Sequence, residues 1–412
     1  MKINNLTLSK NDWFTFFLLS SYPISIILGN FFINLYYLLF TFNFFLNLKK
    51  NKIFFLNKIN YLIIFFFCTL LLTVCFSLDW QNSLPRVIKI AFIFFFLIEC
   101  QRLICNNEEK INYIFKIWSI FFTIVCFDII FELIFGHNIL GFTSYMPGRI
   151  ASFFNDELVV GAYFNGFVLY FVAYFFSKYP QNKKVIGILI LFLIIISFVI
   201  GERSNFIRAL FSLFIFSTII FKIKPLKNIL IITFTISLMV IFLNLNNDYK
   251  IRYYDQIKQI FQKNGIEFFF SNTQYGAHQN VAYKIFKNYP LFGVGIKNFR
   301  IESNKTIYED KNNPFNALRQ ATHPHQVHLE FLSETGIIGY ISFLTFILGS
   351  LLLGIKKYLI TKNLYLLSSL IFIASSILPI LPSGSFLSTF SGGIFWLNFA
   401  VMYVYILNKF RL

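Results

Sequence analysis

The chain has 412 residues, of which 57% are hydrophobic, 21% aromatic and only 13% charged, with a formal net charge of +18. A soluble domain of this size has nowhere to hide that much apolar surface, which excludes a soluble enzyme and the nucleic-acid partner that such a charge suggests in one. A multi-span membrane protein carries excess Lys and Arg for another reason, because the positive-inside rule collects them in cytoplasmic connections.

Apolar runs long enough to cross about 30 Å of hydrocarbon recur along the chain. Taken in order they predict about twelve spans. The first two, roughly 13–29 and 31–48, are joined by a tight turn at Gly29-Asn30. Three more follow near 59–78, 86–104 and 113–135, then four near 158–176, 183–200, 204–221 and 228–244. A long polar segment, 245–329, separates these from the last three, near 330–354, 363–381 and 386–408. The first apolar run lacks a small-residue cleavage site after it and reads as a span, not a signal peptide. The expected fold is an all-α polytopic bundle. Residues 1–135 form spans 1–5, and 136–412 form a core of spans 6–12, within one integral membrane domain.

Basic residues sort by connection. Lys49, Lys50, Lys52 and Lys58 share one side with Arg102, Lys110 and Lys116, with Lys178, Lys183 and Lys184, with Lys222, Lys224 and Lys227, and with Lys356, Lys357 and Lys362. Lys2, Lys10, Lys409 and Arg411 put both termini on that same, cytoplasmic side. Segment 245–329 then lies outside the cytoplasm. Within it, Asn280 to Tyr289 carries Val281, Ile285 and Phe286 at helical spacing and predicts a short amphipathic helix lying near the membrane. Pro290 and Gly293-Val294-Gly295 then turn the chain. The cysteines, Cys68, Cys75, Cys100, Cys105 and Cys126, lie in or beside apolar runs and read as small buried hydrophobes without disulfides.

Ionisable groups within spans are costly and mark function by default. Arg86, Lys89, Asp128, Glu132, Glu202, Arg203 and Arg208 all fall toward the outer side, as one outward-facing polar chamber would require; Glu99 falls near the inner end. The bland reading pairs Asp128 and Glu132 with Arg or Lys. Gly201-Glu202-Arg203-Ser204 is a short turn that sets a guanidinium at a helix N-terminus, an anion site suited to phosphate. Arg149, in the outer loop 136–157, offers a second positive contact.

Three of the five histidines fall in Thr322-His323-Pro324-His325-Gln326-Val327-His328. Their spacing admits a zinc site with Glu330 or His278, a solvated surface feature, or a general base at the membrane surface.

Several stretches together resemble the O-antigen ligase and Wzy-type polymerase family of bacterial envelope glycan transferases. Thr322 to Gln326, running into Leu329-Glu330-Phe331-Leu332-Ser333-Glu334-Thr335-Gly336, is similar to that family's His-Pro-His-Asn stretch and Glu-Thr-Gly helix. Pro290-Leu291-Phe292-Gly293-Val294-Gly295 resembles its Pro-Leu-x-Gly-x-Gly turn, and Arg203-Ser204 its Arg-Ser/Thr span start. Arg149, Phe153 and Asn155 resemble its Arg-x-x-x-Phe-x-Asn stretch.

The resemblance implies transfer of an undecaprenyl-pyrophosphate-linked glycan to a sugar hydroxyl with inversion, outside the inner membrane, without metal or other cofactor. The acceptor is lipid A–core for a ligase, or a second lipid-linked repeat for a polymerase. It implies His325 as base with His323 beside it, and Arg203, Arg149, Arg300 and His278 as pyrophosphate contacts. Glu202, Arg208 and Glu334 support them. Two departures stand out: Gln326 replaces the family's Asn, and no arginine occupies Tyr275 to His278, just before the predicted loop helix. The reading from another class is a twelve-span transporter, which calls for a midplane polar site, broken helices and two-half symmetry.

Overall fold

The computed structural model describes residues 10–48, 57–104, 108–155, 157–255, 258, 265–310, 313–379 and 381–407. Among these residues there are helices and loops but no strands. All twelve apolar runs fold as helices. The first nine are α1 (Lys10–Ile27), α2 (Asn30–Leu46), α3 (Lys58–Cys75), α4 (Trp80–Ile104), α5 (Glu108–Phe135), α6 (Val160–Lys178), α7 (Lys183–Val199), α8 (Arg203–Phe221) and α9 (Pro225–Leu245). Two loop helices follow, α10 (Ile266–Asn272) and α11 (Gln274–Asn288), and then α12 (Val327–Thr361), α13 (Leu364–Ser376) and α14 (Thr389–Leu407). Six of these, α3, α5, α6, α8, α12 and α14, are long and apolar enough to cross a membrane, while α2 and α13 are shorter apolar helices.

One apolar core runs from Phe16 on α1 to Tyr405 on α14, so helices from the two ends of the chain share it. Helix α14 is apolar all round and buried along most of its length, as expected of a central helix. It packs against α2, α4, α6, α12 and α13. Gly166 lets α6 come close, because a Cβ there would sit 2.6 Å from Ile394, and Asn398 donates to the Gly166 carbonyl across the contact at 3.2 Å. Of the described cysteines, Cys100 and Cys126 are buried and Cys68 and Cys75 exposed, all four as free thiols. The exposed pair corrects the expectation of burial: both lie on α3, on a face that no other helix covers among the described residues. Cys105 lies outside the described residues.

Helix α11 begins six residues earlier than Asn280, because Thr273 caps it by accepting the Gly276 N–H at 3.0 Å. Its apolar residues Val281 and Ile285 are not left open. Val281, Ala282 and Ile285 instead form a second core with Val294, Phe299 and Tyr308 of the same loop. The loop is thus a small packed unit, seated on α12.

The seat is a break in α12. Gly336 leaves helical geometry, with φ 62° and ψ −169°. The Pro290–Gly295 turn fills the gap with backbone hydrogen bonds. Ile337 N–H donates to the Pro290 carbonyl at 2.8 Å, while Val294 and Gly295 N–H donate to the Ser333 and Glu334 carbonyls at 3.0 and 2.8 Å. A Cβ at Gly293 would sit 2.4 Å from the Glu334 carbonyl carbon, and one at Gly336 2.3 Å from that of Leu291. Two glycine-bearing stretches therefore form one joint, in which the backbone groups opened by the break are satisfied by protein, as a buried site requires.

Candidate active site

The joint fixes the start of α12 and with it the histidines. Gln326 caps that helix. Its Oε1 accepts the Leu329 N–H at 2.7 Å and its Nε2 donates to the Pro379 carbonyl at 2.8 Å. Gln thus performs a capping task within reach of a shorter Asn. Glu330, buried one turn on, accepts the Phe386 N–H at 2.9 Å and the Ser385 hydroxyl. His325 precedes the cap in left-handed conformation, φ 53°, with its carbonyl accepting from Ser383 N–H at 2.8 Å. Such backbone in a non-glycine residue costs on the order of 1–3 kcal/mol and persists only where the surroundings hold it.

Three rings surround that of His325, His278 near parallel to it and His323 and Tyr275 tilted. His323 lies 4.0 Å away centroid to centroid, and His278 and Tyr275, both from α11, lie 5.2 Å away. His278 is buried, its Nε2–H donates to the Leu318 carbonyl at 2.7 Å, and its Nδ1 has no partner among the described residues. His323 Nδ1 lies 2.9 Å from the Thr322 hydroxyl. The His325 ring makes no hydrogen bond among the described residues. Among the described residues no three His, Cys, Asp or Glu side chains are grouped as metal ligands.

Burial disfavours the imidazolium form of all three. His325 is lowered to about 4, by burial and then by His278. His323 is lowered to about 3, by burial and then by His325 and Lys297. His278 is lowered by burial, partly offset by its bond to Leu318. The cluster is therefore uncharged at neutral pH. His328 belongs to the packing: its Nε2 donates to the Ile377 carbonyl at 2.8 Å, and its Nδ1 lies 3.1 Å from the Tyr340 hydroxyl.

The arginines gather separately. Arg203 is the first residue of α8, and its Nη1 donates to the Arg252 carbonyl at 3.3 Å. Arg252 bonds through Nε to the Gly201 carbonyl at 3.2 Å and feels the charges of both Arg149 and Arg203. Arg149 donates to the Leu158 carbonyl at 2.6 Å and pairs with Glu202 at 3.4 Å. Glu202 also accepts the Gly161 N–H at 3.0 Å and the Asn205 amide at 2.5 Å. Burial raises the Glu202 carboxyl, opposed first by Arg149. Among the described residues, Glu202 is the carboxylate paired within this group of three guanidinium side chains.

Glycines permit this crowding. Gly201 has φ +78°, and a Cβ there would sit 1.9 Å from the Gly148 carbonyl oxygen. The loop carrying Arg149 is held by Asp128 and Glu132, which pair with no basic side chain among the described residues. Asp128 accepts from Ile139 N–H at 2.8 Å and Ser152 hydroxyl at 2.6 Å, and Glu132 from Ala151 and Ser152 N–H at 3.1 and 2.6 Å. The expected pairing with Arg or Lys is corrected: unpaired loop N–H groups are the stronger claim on a buried carboxylate.

The structure divides the remaining candidates. Arg208 is buried and donates to the carbonyls of Pro382 at 2.8 Å and Ser375 at 3.3 Å, tying α8 to the α13–α14 loop. Glu334 is buried, beside the Lys297 ammonium and the N–H groups of Lys297 and Phe299. Arg300 is exposed, and its charge is felt at Lys297. His278, expected among the pyrophosphate contacts, stands in the histidine stack instead.

Arg252 and Tyr275 were missed as site residues. Tyr275 bridges the two groups. Its ring centroid lies 5.2 Å from that of His325, and its phenol lies within electrostatic reach of Arg203 and Arg252. The only local signal for Arg252 is its place in Tyr249-Lys250-Ile251-Arg252-Tyr253, whose tyrosines donate to the carbonyls of Val199 at 2.5 Å and Phe198 at 2.9 Å. A family model described as O-antigen ligase matches residues 161–344, the stretch holding Glu202, Arg203, Arg252, Tyr275, the histidines and Gly336. No curated protein matches the chain.

Proposed function

We propose that this chain, matched over residues 161–344 by a family model described as O-antigen ligase, moves a glycan from undecaprenyl pyrophosphate to a sugar hydroxyl on the outer face of the bacterial inner membrane. The observation that carries this reading is Tyr275, which stands 5.2 Å from the ring of an uncharged His325, itself without a ring hydrogen bond among the described residues, and within electrostatic reach of the arginine group. A pyrophosphate leaving group needs positive charge, and an attacking hydroxyl needs a base; Tyr275 stands between the candidates for each.

In this reading Arg203, Arg252 and Arg149 hold the pyrophosphate. Arg252 fills the role for which Tyr275 to His278 offers no arginine. His325 takes the acceptor proton as the hydroxyl oxygen bonds to the anomeric carbon. The bond from that carbon to the pyrophosphate oxygen breaks on the opposite face, which inverts the configuration. Positioning and charge stabilisation supply most of the rate. A base of pKa near 4 accepts a proton poorly in the free enzyme. The bound pyrophosphate, by its negative charge, raises that affinity once donor is in place, so the base is strengthened when it is needed. His323 and His278 wall the ring in, and Glu202 orients Arg149.

The test is glycan transfer in detergent from undecaprenyl pyrophosphate-linked repeats, with and without lipid A–core, for wild type, His325→Ala and Arg203→Ala. Product on lipid A–core that is lost in both variants supports the ligase form. Lengthening of the lipid-linked glycan without that acceptor makes the protein a polymerase. Full activity in His325→Ala removes the base.

A further inference from the structure

A cavity of about 390 Å³ lies between α2 and α4, lined by Asn34, Tyr37, Gln81, Asn82, Arg86 and Lys89 among others. Arg86 makes no hydrogen bond or ion pair among the described residues. Lys89 donates to the Thr389 hydroxyl at 3.0 Å and lies 5.7 Å from the centre of the Tyr37 ring, with no carboxylate at ion-pair distance among the described residues. Two half-buried cations without a counter-charge are costly to keep unless an anion arrives.

The cavity is joined to the histidines by the Val294–Asn298 turn, which docks on the start of α4. The Ser83 hydroxyl donates to the Ile296 carbonyl at 2.8 Å, Leu78 N–H to the Val294 carbonyl at 3.0 Å, and the Asn298 amide to the Asp79 carbonyl at 3.1 Å. The turn presents Lys297, which faces Glu334 and Glu330 foremost, feels Arg86 and Arg300 less, and is itself felt at Lys89 and His323. A second basic group thus reaches the histidine cluster through Lys297 and His323, as the first reaches it through Tyr275. Beside the cavity, α2 exposes Phe31, Leu38 and Phe42 at 71%, 52% and 60%, an apolar track suited to an acyl or prenyl chain.

We propose that this cavity seats the phosphate of a lipid-anchored acceptor, so that the acceptor hydroxyl is delivered to His325 from the Lys297 side while the donor occupies the Arg203 side. The assignment rests on the transfer reading above. Asn34, Gln81 and Asn82 supply neutral donors for phosphate or sugar oxygens, and Arg86 and Lys89 supply the charge.

The experiment measures binding of bis-phosphorylated lipid A to the full chain in neutral detergent, with dephosphorylated lipid A and inorganic pyrophosphate as comparison probes. The phosphorylated lipid is expected to bind at least tenfold more tightly than either comparison probe. Arg86→Gln with Lys89→Gln, and separately Lys297→Gln on the loop, are expected to remove most of that margin. Arg86→Lys retains most of it, and Arg203→Ala retains all. Equal binding of the dephosphorylated lipid, equal binding of free pyrophosphate, or an intact margin in the Gln variants overturns the assignment. In transfer assays the Gln variants raise the acceptor KM about tenfold and leave the donor KM alone. A wild type that binds the phosphorylated probe but transfers nothing defeats the transfer reading and leaves this binding site; one that transfers without regard to acceptor phosphate defeats this site alone.

Discussion

His278 lays its imidazole against that of His325, 5.2 Å between centroids and 25° from parallel. One ring comes from the loop helix α11 and the other from the residue before the cap of α12, so the stack exists only when the loop unit sits on its helix. The catalytic group proposed here is therefore held by a contact between elements far apart in the chain.

Removing the base tests the centre of the reading. His325→Ala is expected to lower kcat by about 10²–10⁴-fold, the range general bases contribute, while donor binding stays near wild type. His278→Ala, which loosens the ring without removing the base, is expected to cost less, about tenfold. Transfer rates and donor affinity measured in parallel separate the two.

The acid limb of the rate profile gives a second test. Burial disfavours protonated His325, and its pKa of about 4 lies below the ordinary 6.5. The neutral base thus persists into acid, so kcat/KM, which reports the free enzyme, is expected to hold from pH 7 down to about 5 and to fall near 4. A limb centred at 6.5 would count against the buried placement. The same shifts bear on stability. With folded pKa values lowered for His323 and His325, the unfolded chain binds more protons below pH 6.5. Stability is then full above 6.5 and declines as pH falls toward 4, which thermal unfolding at graded pH measures.

Arg252 is the site residue added by the structure. Arg252→Ala is expected to raise the donor KM by about 10–100-fold, equivalent to roughly 1.5–3 kcal/mol for a lost charge-assisted hydrogen bond. Arg203→Ala should do the same. Arg252→Lys restores charge but not the fork geometry and should recover only part of the loss. An unchanged donor KM in Arg252→Ala would remove it from the pyrophosphate site.

The joint at Gly336 carries a folding prediction. Gly293→Ala and Gly336→Ala each place a Cβ within 2.5 Å of backbone that has no room to move, at positive φ. Each is expected to destabilise the protein by several kcal/mol, through strain and steric overlap together, and to lower Tm and the yield of folded protein. Gly187→Ala, where a Cβ meets nothing within 4 Å, is the control and should be neutral or slightly stabilising.

Much of this protein was decided locally. The helices follow from apolar runs because hydropathy and helix propensity are properties of neighbouring residues, and all twelve runs fold as helices. Arg203 at a helix start and His325 just before another are likewise short-range features, visible as Glu202-Arg203-Ser204 and Pro324-His325-Gln326. The partners were decided elsewhere. Arg252 meets Arg203 across 49 residues, and His278 contacts the Leu318 carbonyl across 40. Asp128 and Glu132 abandon basic partners for loop N–H groups, and Pro290–Gly295 fills a break that the composition of α12 does not announce. No periodicity encodes such meetings. They depend on which buried polar groups lack a partner once the helices have packed, a quantity that exists only in the tertiary structure.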